Sequence, residues 1–211
     1  MLALTDIRKA YGRKTVLDGI TQTFPVGLTL LVGPSGAGKS TLLRLLATAE
    51  KPNAGTISWA GAVLPGARRA LRRTLGYAPQ AVDLPDDLTA REFAQHMASL
   101  KGLDAAAADA QFGAITDAIG LHADINNRIS TFSGGMRRRL IFAQAMLGTP
   151  QLIALDEPTA ELDGETARKL SALILERAQD AVVVMTTHLA DELALHAVQV
   201  LRVENGKVRA A

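Results

Sequence analysis

Gly33-Pro34-Ser35-Gly36-Ala37-Gly38-Lys39-Ser40-Thr41 follows the apolar run Leu28-Thr29-Leu30-Leu31-Val32 without a break. That order reads as strand, glycine-rich loop, helix. The spacing G-x-x-x-x-G-K-[ST] suits one chemistry, the cradling of a phosphate chain. Glycines at Gly33, Gly36 and Gly38 let successive backbone N–H groups converge on an anion with no Cβ in the way. A helix starting near Lys39 adds the positive end of its dipole at the same point. Lys39 is spaced to reach the β- and γ-phosphates of a nucleoside triphosphate, and the Ser40 hydroxyl to ligate Mg²⁺. The whole loop, Gly33 to Thr41, is therefore expected to bind nucleotide.

Bulk composition is compatible with one compact domain. The chain has 211 residues, 48% of them hydrophobic, a formal net charge of +2 and no cysteine; its mean hydropathy is +0.14. No apolar run approaches the roughly 18–20 residues a membrane span requires. The start, Met1-Leu2-Ala3-Leu4-Thr5-Asp6, lacks the basic and apolar stretches of a secretory signal. A cytoplasmic location is the expectation. Without cysteine there are no disulfides and no thiolate metal sites. The small net charge gives no reason to expect a nucleic-acid partner.

Outward from the loop, short apolar runs at residues 2–7, 16–24, 28–32, 55–59, 63–64 and 75–77 read as strands. Tyr11-Gly12, Pro25-Val26-Gly27, Gly61 and Pro65-Gly66 mark turns between them. Trp59 reads as packing against neighbouring strands. The texture then turns helical. Thr89-Ala90-Arg91-Glu92 is a capping box, followed by Phe93, Met97 and Leu100 at i, i+4, i+7. Phe112, Ile115 and Ile119 repeat the spacing. Residues 83–147 are thus expected to form a helical subdomain, inserted into an α/β core of residues 1–82 and 148–211. Strands return at 152–155 and 181–185, with a helix between them that turns Leu170, Leu173 and Ile174 inward and pairs Glu165 with Lys169 outside. Strand–helix alternation around the phosphate loop implies a parallel sheet with helices on both faces.

Three further motifs carry chemistry. Leu152-Ile153-Ala154-Leu155-Asp156-Glu157 is a buried strand ending in two carboxylates. At the edge of a parallel sheet, Asp156 can hold Mg²⁺ through water, and Glu157 can orient or deprotonate an attacking water. His188 ends the strand 182–187 and is placed to touch a γ-phosphate or steady the Glu157–water pair; His96, His122 and His196 carry no such signal. Thr131-Phe132-Ser133-Gly134-Gly135-Met136 opens a helix with Ser133 as N-cap, and its exposed amides make a second anion site. One chain has no use for two anion sites on one nucleotide. Two chains set head to tail do.

With these motifs assembled, the chain resembles an ATP-binding-cassette (ABC) ATPase, and in particular the short ATP-binding subunits of two-part transporters. The resemblance runs over essentially the whole length. It identifies Gly33–Thr41 as the Walker A loop, Leu155-Asp156-Glu157 as the Walker B end and Phe132–Met136 as the signature. Tyr11 matches the aromatic that stacks on adenine, Gln80 the Q-loop glutamine that also faces Mg²⁺, residues 160–163 the D-loop, and His188 the switch histidine. The implied fold is a P-loop NTPase (RecA-like) α/β core with an antiparallel β subdomain and an inserted α-helical subdomain. ATP and Mg²⁺ are the implied ligands. The implied catalytic groups are Glu157, His188, Lys39 and Gln80; Tyr11, the Walker A loop and Ser133, Gly134 and Gly135 bind nucleotide, and Ser40, Gln80 and Asp156 serve the metal.

The implied partners are a second copy or a homologous subunit, and an integral-membrane permease that would hold the chain at the inner face of the membrane. Phe132 and Met136 replace the commoner leucine and glutamine of the signature, a variant that resembles exporter-type (ABC-2-like) subunits. Met136 also starts the spacing Met136, Leu140, Ala143, Leu147, so it can equally be core. Ala160 and Glu161 depart from the usual Ser and Ala of the D-loop. The run Arg137-Arg138-Arg139 reads as solvated helix surface or as a contact for acidic partner groups or anionic lipid. The alternative function is a cassette ATPase serving DNA repair, translation or mechanotransmission. Only about 115 residues separate Ser40 from Asp156, and they show no sustained heptads of the kind a long coiled coil requires.

Overall fold

The computed structural model describes residues 1–81, 83–187 and 193–211. The N-terminal strands β1 (Leu2–Tyr11) and β2 (Lys14–Phe24) form a hairpin about Gly12. After β3 (Gly27–Val32) and the phosphate loop comes helix α1 (Lys39–Leu46). Strands β4 (Ala54–Trp59) and β5 (Ala62–Val63) extend the hairpin into a four-stranded antiparallel sheet, ordered β2-β1-β4-β5. Helix α2 (Arg68–Arg73) and strand β6 (Leu75–Ala78) lead into the helical segment. That segment holds α3 (Ala90–Lys101), α4 (Ala105–Ala118), two 3₁₀ turns at His122–Asp124 and Ile129–Thr131, and α5 (Gly134–Met146). The chain finishes with β7 (Leu152–Asp156), α6 (Gly164–Ala178), β8 (Val182–Thr186), β9 (Gln199–Glu204) and β10 (Lys207–Ala210).

The second sheet has six strands in the order β10-β9-β3-β8-β7-β6. Its β9-β3-β8-β7-β6 run is parallel and only β10 is antiparallel. β7 and β8 are buried at every position, which is why they read as unbroken apolar runs rather than as alternation. One face carries α1 and the antiparallel sheet in a core with Leu31, Leu42, Phe24 and Trp59. The other carries α5, α6 and the helical segment, with Phe112, Leu140, Leu170 and Ile174.

The strand register positions the functional residues. Leu31 pairs with Thr186, Asp156 with Thr186, and Ala78 with Leu155. The carboxyl ends of β3, β8, β7 and β6 therefore finish side by side. The loops leaving them carry, in turn, the glycine-rich segment, Thr187, Glu157 and Gln80. Ligands of open parallel sheets bind at this edge because helix N-termini and loop amides converge there.

Several expectations are met. Thr89 and Glu92 form the reciprocal capping box, Phe112, Ile115 and Ile119 are buried, and Lys169 reaches Glu165 at 2.7 Å. Trp59 lies within the core. Four points go beyond or differ from the sequence reading. The strand read as 2–7 continues to Tyr11. Helix α2 and the C-terminal hairpin β9–β10 carried too short a periodic signal to be read. In α3 the buried face is the alanine stripe Ala90, Ala94, Ala98, whereas Phe93 and Met97 are half-buried and Leu100 is exposed. Small side chains let α3 approach its neighbours closely, so the larger residues are left on a groove.

The arginine run is the fourth. Arg137 bonds Asp86 at 2.6 Å, Arg138 bonds the Ala160 carbonyl and pairs with Glu161 at 3.2 Å, and Arg139 donates to the Gly120 carbonyl at 2.6 Å. Consecutive helical residues point about 100° apart, so each arginine meets a different piece of the same chain. Half-buried, the three arginines thus each brace a different loop of their own chain.

Candidate functional site

The glycine-rich loop is wound by backbone that only glycine adopts without strain. Gly33, Gly36 and Gly38 have φ of 138°, 73° and 107°, all in the left-handed half of conformational space. At Gly33 a Cβ would stand 2.2 Å from the Val203 carbonyl oxygen of β9. The loop is thus pressed against the sheet on one side and open on the other. Gly38 caps α1, whose first residue is Lys39. The Lys39 ammonium is buried and spans its own loop, donating to the Gly33 and Pro34 carbonyls at 2.7 and 3.0 Å.

A cleft of about 290 Å³ lies over the loop, lined by Ser35, Gly36, Lys39, Ser40, Gln80 and Glu157 among others. Across it, Gln80 Nε2 donates to Glu157 Oε2 at 3.1 Å. Residues 77 positions apart in sequence meet here because β6 and β7 are adjacent and parallel. Below them Asp156 is buried and accepts from the Thr186 hydroxyl at 2.6 Å. The same hydroxyl accepts from the Glu157 backbone N–H at 2.9 Å. Glu157 itself sits at φ 51°, a conformation non-glycine residues seldom hold and one that recurs at functional turns. Burial, reinforced by the negative charge of Asp156, pushes the neighbouring Tyr77 phenol up to about 12.

Tyr11 does not line this cleft. It lies beside it, its hydroxyl donating to Glu50 Oε2 at 2.6 Å and accepting from Arg44 Nη2 at 3.2 Å. Ser133, Gly134 and Gly135 are also elsewhere. Ser133 caps α5, accepting from the Met136 N–H at 3.2 Å, and the helix start faces solvent with Ser133 and Gly134 exposed. Met136 packs half-buried on the helical core, in line with Leu140, Ala143 and Leu147. His188 lies outside the described residues.

Thr186 and Arg44 were not singled out from sequence. Thr186 had a readable signal, a hydroxyl closing the all-apolar strand Val182–Met185. Arg44 had a weaker one, since on α1 it lies one turn beyond Ser40 and Thr41. Its guanidinium reaches the Thr41 hydroxyl at 3.1 Å and lines the cleft. Among the described residues no group of three or more histidines, carboxylates or thiols could enclose a metal. The cleft offers hard oxygen donors, among them the Ser40 hydroxyl and the Gln80 amide, with the Asp156 carboxylate buried beneath. That set fits magnesium, which takes few protein ligands and fills its shell with water and phosphate oxygens.

Residues 17–160, spanning the loop, Gln80, the Ser133 turn and Glu157, match the family described as ABC transporter. The chain belongs to the ABC transporter family. Among curated relatives of this ABC chain, the Nod factor export ATP-binding protein I of Paraburkholderia xenovorans is 36% identical over 192 residues, covering 88% of this chain and 62% of its own length. The linearmycin resistance ATP-binding protein LnrL of Bacillus subtilis is 30% identical over 195 residues, covering 92% and 63%. The ABC chain thus spans about three fifths of the length of the curated relatives it matches. A solved ATP-binding subunit of an ABC transporter superposes with a TM-score of 0.90 at 26% identity, over 100% of this chain and 88% of that one. The expected P-loop architecture is therefore the observed one. No helix among the described residues is long and apolar enough to cross a membrane.

Proposed function

We propose that this chain binds and hydrolyses ATP as the motor subunit of a transporter, working as a dimer on a separate membrane permease. The observation that carries the reading is the Glu157 carboxylate held at 3.1 Å by Gln80 across the Walker A cleft. Lys39 and the loop amides would hold the β- and γ-phosphates, and Ser40, Asp156 and Gln80 would hold magnesium. That ion, when bound, neutralises phosphate charge. Glu157 takes a proton from a water whose oxygen attacks the γ-phosphorus. The bond to the β–γ bridging oxygen breaks, giving ADP and inorganic phosphate. Thr186 fixes both Asp156 and the backbone of Glu157, so metal ligand and base share one anchor. His188 is proposed to stabilise the transferred phosphoryl group.

The exposed start of α5 supports the dimer. Its amides have no phosphate of their own chain to bind, and a head-to-tail second copy brings Ser133, Gly134 and Gly135 onto the partner's nucleotide. An isologous two-fold pair then carries two equivalent sites, with ATP favouring the closed state and Tyr11 stacking on its base. The permease would dock in the groove of about 610 Å³ lined by Tyr77, Pro79, Phe93, Met97, Leu100 and Ile141, as a short amphipathic helix. Tyr77 and Pro79 form the approach to Gln80, so a helix seated there leans on the Gln80–Glu157 contact. Relatives in Nod factor export and linearmycin resistance, and the Phe132 and Met136 signature, support export. The chain would be peripheral at the inner face of the membrane.

The test is Glu157→Gln. Losing the base should lower kcat by about 10²–10³-fold while ATP still binds and the dimer persists. The variant, isolated with Mg·ATP from solubilised membranes, should bring down a polytopic membrane protein in near-equal amount. Wild-type turnover would remove Glu157 from the mechanism. Recovery with DNA or ribosomes would keep the ATPase and replace transport by the non-transport reading.

A further inference from the structure

Beside the phosphate cleft, three side chains from two separate segments converge on one carboxylate in a third. Glu50, in the loop after α1, accepts from Lys9 Nζ at 2.8 Å, from the Tyr11 hydroxyl at 2.6 Å and from Arg44 Nε at 2.6 Å. Arg44 closes the ring by donating through Nη2 to Tyr11 Oη at 3.2 Å and to Thr41 Oγ1 at 3.1 Å. Lys9 lies 5.0 Å over the centre of the Tyr11 ring, within cation–π range. One face of the tyrosine is therefore covered by an ammonium group, and its far end is pinned at the hydroxyl. Tyr11 remains 43% exposed, so a planar ligand can reach its ring.

The cluster holds more than a hairpin tip in place. Tyr11 ends β1, whereas Thr41 and Arg44 belong to the helix that follows the Walker A glycines. Arg44 lines the phosphate cleft and touches Tyr11 in the same conformation. Burial by itself would raise the Glu50 carboxyl, but hydrogen bonds from Lys9, Tyr11 and Arg44 outweigh it and hold the group down to about 2. The acceptor thus stays ionised, which strengthens each bond it takes.

We propose that Glu50 is a positioning residue for the nucleotide base, its carboxylate fixing the Tyr11 ring at a set place beside α1 through Lys9, the Tyr11 hydroxyl and Arg44. The inference rests on the reading of Tyr11 as the base-stacking residue. Preorganising an aromatic platform lowers the cost of ordering it on binding. Its loss should appear in affinity for a ligand with a base and not for one without. Since Glu50 touches neither phosphates nor the reacting atoms, kcat at saturating ATP should be unchanged.

The experiment measures calorimetric affinities of the full chain for Mg·ATP and for magnesium-bound inorganic triphosphate, in Glu50→Gln, Tyr11→Phe and Tyr11→Ala. Expected is a roughly ten-fold loss of ATP affinity in Glu50→Gln and in Tyr11→Phe, with triphosphate affinity preserved in both. The Glu50→Gln, Tyr11→Phe double variant should lose little more than either single one, because both break the same clamp. If Tyr11→Ala weakens ATP but Glu50→Gln does not, stacking stands and the clamp is overturned. If Glu50→Gln weakens ATP and triphosphate alike, its role is general support of α1, which also overturns the proposal. If Tyr11→Ala leaves ATP affinity intact, the stacking reading falls and this inference falls with it.

Discussion

At the residue scale, Thr186 shows how one hydroxyl can govern a site. It donates to the buried Asp156 and accepts from the Glu157 amide, so a single rotamer sets both the carboxylate proposed to face the metal and the turn that carries the proposed base. Thr186→Val keeps the shape and removes both bonds. It should leave buried polar groups unpaired and lower unfolding free energy by about 1–3 kcal/mol, read from urea denaturation. Turnover should fall more than ATP affinity, because the turn carrying Glu157 loses its tether. A variant as stable and active as the parent would show that Asp156 and Glu157 are set by other groups. Gly33 makes the complementary point. Its φ of 138° and the Val203 oxygen 2.2 Å from a would-be Cβ mean that the cleft's shape is written partly as the absence of a side chain.

At the element scale, the signature helix and the segment after Glu157 are joined within one chain. Arg138 on α5 bonds the Ala160 carbonyl and pairs with Glu161, and Glu161 holds a φ of 59°, where a side chain is strained. Arg138→Ala should loosen the loop by on the order of 1 kcal/mol, seen as faster amide hydrogen exchange at 160–162 with α5 unchanged. Unaltered exchange there would mean that the loop holds its form without the arginine. Helix α3 carries a different lesson. The spacing of Phe93, Met97 and Leu100 correctly marks an apolar face, but that face lies on the open groove while Ala90, Ala94 and Ala98 take the interior. Periodicity reports that a stripe is apolar; it does not report which neighbour covers it.

At the scale of the whole molecule, the same groove contains a charge held at a cost. Lys101, at the end of α3, donates to the Leu147 carbonyl at 2.8 Å, and burial lowers its ammonium from 10.5 to about 8. Between those values the unfolded chain binds the proton and the folded chain does not. Stability should therefore rise with pH from about 8 to about 10.5 through this group. Below that window the folded state carries the burial penalty. Lys101→Met should be more stable than the parent at neutral pH, and the gap should narrow as pH climbs through the window. Urea midpoints of the two proteins across that range provide the measurement; parallel curves would place Lys101 in solvent-like surroundings.

Much of this molecule was legible in the chain itself. The strand before Gly33, the loop, the carboxylates at 156 and 157, and the Ser133 turn are local patterns, and each depends on backbone geometry within a few residues. The capping box at Thr89 and the apolar runs of β3, β7 and β8 are equally local, because burial on both faces leaves an unbroken apolar signature. What only the tertiary structure decided is which of these meet. The Gln80–Glu157 contact, the Thr186 anchor and the Glu50 clamp each join residues 29 to 77 positions apart or gather separate segments. The first two exist because parallel strands stack in register and bring their carboxyl ends to one edge, and the third because the antiparallel sheet packs against α1. Sequence fixes what a residue can do within its own turn or strand. Pairing across the sheet, a sum of many weak packing terms spread over the chain, fixes which residue it does it with.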